Sequence, residues 1–335
     1  MKAPLIISLA LLFMGCGIIA EPEHRSRFEL VDQGNIVPPF SADSAYSFIQ
    51  KQVEYGPRNP NSEGHRLTRD YLVATLKTYA GESMVYPQHF QVEGYEGEIL
   101  NLTNVIAAFN PQATDRIMLS AHWDTRPRAE EDYNATKQLQ PILGADDGGS
   151  GVGILLELAR IMAAETPPVG VDIVLFDGED YGHTTDIDKY FLGSRHWASN
   201  PPVAGYNPRF GILLDIVGSV GATFPKEGYS RRYAPTLTNN IWTLAATMEL
   251  DNYFLDIPGG LVADDHLIVN EYAGIPMVNI IHYTSDGNSV EFPSHWHTHM
   301  DNMDVIDKQT IDAVGRLVTE IIYNRITPET AADDN

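Results

Sequence analysis

VDIVLFDGED, residues 171–180, is an apolar run that ends in a turn carrying two adjacent acids, Glu179 and Asp180. A short apolar run bounded by turn residues reads as a strand buried on both faces. An acidic doublet after a strand is commonly a solvated loop. Because neighbouring carboxylates repel, the pair also fits a metal ligand beside a proton-transfer group. Four other runs have the same form: NVIAAF (104–109), RIMLSAHWD (116–124), FGILLDIVG (210–218) and IPMVNIIHY (275–283). Helical patterns surround and separate them at residues 41–56, 64–81, 151–165, 235–250 and 307–326. The first begins at Ser41 and stops at Gly56; the second sets Leu67, Tyr71, Leu72, Leu76 and Tyr79 on one face and ends at Gly81. Strand and helix in alternation predict a single α/β domain with a mixed, mostly parallel central sheet flanked by helices.

Such a sheet carries its chemistry at the carboxyl ends of its strands. His122 and Asp124, Glu179 and Asp180, and Asp215 all fall at the ends of apolar runs. Polar groups at the same end of neighbouring strands converge in space, and the irregular segments 125–143, 181–193, 218–234 and 284–296 are expected to form a rim above them.

Composition narrows the partners. The 335 residues are 43% hydrophobic and 20% charged, ordinary for a chain that buries a large core, and no internal repeat or low-complexity tract is evident. A formal net charge of −23 excludes a phosphate-backbone partner, which needs clustered Lys and Arg, so nucleic acid is set aside in favour of small molecules or peptides.

MKAPLIISLALLFMGCGIIAEPEHR (1–25) opens with one cation, continues with an apolar stretch from Leu5 to Phe13 and reaches small residues around Cys16. That pattern predicts an export signal over residues 1–20, too short to span a bilayer comfortably. FMGC, ending at Cys16, resembles a bacterial lipoprotein signal, whose cysteine becomes the lipid-modified first residue; the alternative is an ordinary signal cut near Ala20. The expectation is an exported protein, either periplasmic or held at a membrane only through a lipid on Cys16. Cys16 is the sole cysteine, so no disulfide supports the mature fold. Residues 21–40 read as an irregular segment, and 41–330 as one catalytic domain.

Six motifs then stand in order: SAHWDT with His122 and Asp124, GADDGGSG with Asp146 and Asp147, FDGED with Glu179 and Asp180, LLDIVG with Asp215, ADDH with Asp264, Asp265 and His266, and SHWHTHMDN with Trp296 and His297. Together they resemble the zinc aminopeptidase superfamily from about residue 40 to the end, and within it the glutaminyl cyclases. The resemblance implies one Zn²⁺ held by Asp147, Asp180 and His297, with an open fourth position. It implies Glu179 as general acid/base, Asp264 and Asp215 as acids networked with it, and Trp296 as a wall of the substrate pocket. The substrate implied is a peptide or protein with N-terminal glutamine, closed to pyroglutamate with release of ammonia. The alternative is a dinuclear zinc aminopeptidase, in which Asp147 bridges to a second metal site made by His122 and Asp215. Against it, those aminopeptidases typically carry Ser where this chain has Asp264.

Two departures stand out. Asp180 occupies a position that is Glu in the animal cyclases, and the tryptophan those enzymes place soon after the acidic pair is missing, with Tyr181 and Tyr190 offered instead. Among the remaining histidines, His297 alone is expected to bind metal, with His295 and His299 solvated. His266 is expected to orient a neighbouring acid, and His183, His196 and His282 to be structural or on the surface. GADDGGSGVG lacks the Lys and glycine spacing of a P-loop, and no Gly-x-Ser-x-Gly elbow is present.

Overall fold

A six-stranded sheet in the order β1-β2-β4-β3-β5-β8 organises the chain. Its strands are β1 (Val85–Glu93), β2 (Ile99–Phe109), β3 (Arg116–His122), β4 (Gly170–Phe176), β5 (Gly211–Asp215) and β8 (Met277–Ile281). Neighbours among β4, β3, β5 and β8 pair in parallel, while β2 runs antiparallel to both β1 and β4. The expected mixed, mostly parallel sheet is therefore present. The computed structural model describes residues 28–183, 186–285 and 289–326. The predicted export segment, with Cys16, lies outside them.

Alternation along each strand explains why the apolar runs are continuous. Ile117 and Leu119, Ile173 and Leu175, and Ile212 and Leu214 join the main core. Met118, Val174, Phe176 and Leu213 point the other way, into a second core with Trp197, Val269 and Met277. Every residue of β4 and of β5 is buried, as a strand covered on both faces requires. The main core is closed by α1 (Ala42–Glu54), α2 (Glu63–Ala80), α3 (Gly149–Ala164), α6 (Pro235–Thr247) and α8 (Lys308–Glu320); α4 (Leu192–Ser199) and α7 (Asp265–Ile268) cover the opposite side. Capping sets the helix starts: the Ser41, Ser62 and Asp307 side chains accept the amides of Ser44, His65 and Thr310. α3 passes so close to the sheet that a Cβ on Gly151 would lie 2.3 Å from the Leu214 carbonyl oxygen.

Strand β1 and the outer half of β2 have no counterpart among the predicted runs. The stretch VYPQHFQVE alternates polar and apolar residues and contains Pro87, which suits a sheet edge packed on one face only. The short strand β6 (Phe224–Lys226) pairs with β7 (Phe254–Pro258), and β6 and α5 (Gly228–Tyr233) fall in the 218–234 segment expected as irregular.

Candidate metal centre

The carboxyl ends of three parallel strands bring the site together. β3 ends at His122, β5 ends at Asp215, and the turn after β4 carries Glu179 and Asp180. Asp147 enters from the loop before α3, and His297 from a turn ahead of α8.

Asp147 belongs to two groups of buried side chains whose ligand atoms lie within 4.8 Å of one another: Asp147, Asp180 and His297, and His122, Asp147 and Asp215. Its Oδ1 is 3.1 Å from His122 Nε2, and its Oδ2 is 3.7 Å from His297 Nε2. His297 Nε2 stands 3.4 Å from Asp180 Oδ1, and His122 Nε2 stands 3.2 Å from Asp215 Oδ1. Asp180 Oδ2 is buried with no hydrogen-bond partner. A buried carboxylate oxygen left unmatched is costly unless a cation meets it. Two carboxylates and one imidazole suit a divalent ion such as zinc, so these residues fit a metal.

Backbone geometry makes the convergence feasible. A Cβ on Gly148, whose φ is +81°, would sit 2.6 Å from the Asp124 carbonyl oxygen and 3.0 Å from His122 Cε1, so glycine lets the Asp147 loop pass this close. His297 (φ 53°) and Ile216 (φ 48°), the residue after Asp215, hold left-handed conformations unfavourable for a side chain. Strain of this kind is sustained where the surrounding structure over-determines it, and here it flanks the cluster.

Residues that the sequence reading passed over hold the loops. Asp301 accepts the amides of Asp146 and Asp147 at 2.7 and 3.1 Å, and burial next to Asp146 and Asp147 pushes its carboxyl up to about 8. Arg58, fully buried, donates to the carbonyls of Trp123, Leu143 and Gly144 at 2.7–2.8 Å. Arg126, also fully buried, donates to Asp180 Oδ1 at 2.7 Å. Asp301 lies inside the quoted SHWHTHMDN motif; the two arginines carry no local signal beyond being cations in an acidic chain.

Three acids share one cleft. Burial, then the neighbouring charges of Asp180, Asp264 and Asp265, hold Glu179 well above the usual carboxylate range, against the opposing pull of His122. Asp215 is raised well above its ordinary value by burial and by Asp264 and Asp147, with the His122 bond opposing. Asp264 is raised by burial, while its two oxygens accept the Asp265 amide at 2.5 Å and Asn279 Nδ2 at 2.6 Å. The cleft, about 290 Å³, is lined by these acids and by Asp147, Asp180 and His297, with Tyr190, Phe191, Ile281, Phe292 and Trp296 as apolar walls. Trp296 stacks on Phe292 and on the His297 ring, at centroid distances of 4.4 and 3.5 Å. Tyr190 therefore takes the second wall; Tyr181 packs in a separate cluster with Phe90 and Leu102 and donates its hydroxyl to Glu98.

The expectation that His295 and His299 are solvated is corrected. His295 is not solvated: it is buried, with Nε2 2.9 Å from Asp146 Oδ2, because the turn that presents His297 tucks its neighbour under the Asp147 loop. His299 is half-buried and bonds Asp132 through Nδ1 at 2.9 Å. His266 pairs with an acid distant in sequence, Glu227, at 3.0 Å.

Residues 104–322 match peptidase family M28. A glutaminyl cyclase from Bacteroides thetaiotaomicron, solved with N-acetylhistamine, superposes with a TM-score of 0.82 at 42% identity, covering 87% of this chain and 100% of that one. A Zn-dependent exopeptidase from Parabacteroides distasonis gives 0.83 at 43% identity over the same shares. The glutaminyl-peptide cyclotransferase of Bos taurus is 25% identical over 295 residues, spanning 78% of this chain and 76% of its own length. The chain belongs to peptidase family M28 and stands with the bacterial glutaminyl cyclases of that family.

Proposed function

We propose that this protein is a zinc-dependent glutaminyl cyclase that closes N-terminal glutamine of peptides or proteins to pyroglutamate and releases ammonia. The observation that carries the reading is the meeting of Glu179, Asp215 and Asp264 in one cleft walled by Trp296 and opening on the Asp147, Asp180 and His297 cluster. In the reaction the substrate's α-amine attacks its own side-chain amide carbon. A C–N bond to the ring nitrogen forms and the C–N bond to the departing nitrogen breaks, so no protein nucleophile is needed. Glu179, kept basic enough for the task by burial and its acidic neighbours, takes the proton from the amine and passes it to the leaving nitrogen. Asp147, Asp180 and His297 would hold a single zinc ion, which would supply a Lewis acid for the amide carbonyl. Asp215 and Asp264, both raised by burial, share protons in the cleft and offer carboxyl oxygens to the α-amine, and the Trp296 and Tyr190 rings enclose the flat lactam.

A second reading, a dinuclear zinc aminopeptidase, rests on the convergence of His122 and Asp215 on Asp147. Asp264 favours the cyclase, because a third carboxylate facing Asp215 draws that residue into proton sharing. We further propose that residues 1–20 direct export and that the protein is periplasmic or anchored by a lipid on Cys16, with residues 41–330 as the catalytic domain. The deciding experiment incubates a peptide beginning with Gln with the zinc-loaded protein and separates the products. Ammonia with a blocked, otherwise intact peptide supports the cyclase; a free N-terminal amino acid replaces it with the aminopeptidase.

A further inference from the structure

Arg126 lies in the loop after β3 with its whole side chain out of solvent. Its guanidinium makes a fork with two different grips. Nη1 donates to the Asp180 carbonyl at 3.0 Å and to Asp180 Oδ1 at 2.7 Å. Nη2 donates to the Tyr190 hydroxyl at 2.8 Å and to Glu130. One cation thus touches both the main chain and the side chain of a metal-cluster residue, and at its other end a wall of the substrate cleft.

We propose that Arg126 is the positioning residue of this metal centre: it fixes the orientation of the Asp180 carboxylate, whose Oδ1 stands 3.4 Å from His297 Nε2, and ties that carboxylate to the Tyr190 wall. The inference rests on Asp180 as a metal ligand, and not on which reaction the centre catalyses. Asp180 has one methylene fewer than glutamate, so a misplaced carboxylate has no further rotor with which to recover. Nη1 holds the Asp180 carbonyl and Oδ1 while Nη2, in the same rigid plane, is anchored on Tyr190 and Glu130, and a lysine ammonium, a single point charge, does not span both ends.

Two other roles predict different behaviour. If Arg126 served only to neutralise buried acids for folding, a lysine would replace it without effect on the metal. If it competed with the ion for Asp180, weakening its grip would tighten metal binding. The test uses metal-free protein, titrated with Zn²⁺ against a chromophoric chelator of known affinity, for the wild type, Arg126→Lys and Tyr190→Phe. Thermal unfolding of the metal-free forms serves as the folding control. Arg126→Lys is expected to bind zinc about 10- to 100-fold more weakly, the usual effect of losing a residue that orients a metal ligand. The visible spectrum of the Co²⁺-substituted protein should change as well, because it reports ligand geometry. Tyr190→Phe, which keeps the ring and removes only one anchor of the guanidinium, should weaken zinc several-fold. It decides the matter if the lysine variant does not fold. Unchanged zinc affinity and an unchanged cobalt spectrum in the folded variants, or tighter binding, overturns the proposal. None of these readouts needs a substrate, so failure here is separate from failure of the cyclase reading.

Discussion

Asp124 holds Glu179 by its backbone: Asp124 Oδ1 accepts the Glu179 amide at 3.0 Å, while its other oxygen accepts the Asp180 amide at 3.2 Å. A single carboxylate at the end of β3 thereby sets the turn after β4, and with it the direction of both acids. Asp124→Asn keeps the shape but replaces one acceptor oxygen by a donor that faces an amide. Turnover is expected to fall about 10- to 100-fold, on the scale seen for outer residues that orient a metal site. Ammonia release by Asp124→Asn at the wild-type rate would show that the turn holds itself.

Glu179→Gln should retain zinc and lose turnover by about 10²- to 10⁴-fold, the usual contribution of a placed acid/base. Its pH dependence has a defined sign. The base form is lost as pH falls through the pKa of Glu179, which burial and then Asp180, Asp264 and Asp265 hold well above that of a free glutamate. The acid limb of the kcat/KM profile should therefore lie above the ordinary carboxylate range and be absent from the residual activity of the Gln variant. A profile flat down to the pKa of a free glutamate removes Glu179 from the role.

His297→Ala is expected to empty the metal site, since it removes the imidazole of the Asp147, Asp180 and His297 group. Added Zn²⁺ should raise the melting temperature of metal-free wild type and leave that of the variant unmoved. A full zinc complement in the variant, by metal analysis, would transfer the site to the His122 group.

Asp264→Ser should depress cyclisation while leaving zinc binding close to that of the wild type, because both Asp264 oxygens bond within the fold rather than to the ligand cluster. The cleft acid is lost and the small hydroxyl cannot replace its charge. Unaltered kcat/KM on a Gln peptide would dissolve the main argument against the aminopeptidase. Free amino acid released by the variant, and not by the wild type, would support Asp264 as the residue that separates the two activities.

Periodicity and motif order carried most of the architecture. The five apolar runs correspond to β2, β3, β4, β5 and β8, because a strand covered on both faces must be apolar throughout. The helix start at Ser41 depends on a local cap, and local chemistry is legible in a linear chain; the cap at Ser62 lies ahead of residue 64, where the sequence pattern starts the second helix. The half-polar edge strand β1, with Pro87 in it, left no such mark, since an edge packs on one face only.

For the site, the resemblance carried by six motifs in order was enough to single out Asp147, Glu179, Asp180, Asp215, Asp264 and His297. It was not enough to find their supports. Asp301 bonds loop amides more than 150 positions away in the chain, Arg58 joins carbonyls at Trp123 and Gly144, and Arg126 grips Asp180 across 54 positions. The same holds for Tyr190 over Tyr181 as the pocket wall, and for the burial of His295. Chemistry at a ligand position restricts the amino acid itself. A hydrogen bond that orients that ligand can come from any donor or acceptor the folded chain brings within reach, so the partner is settled only when the strands are paired and the loops closed over them.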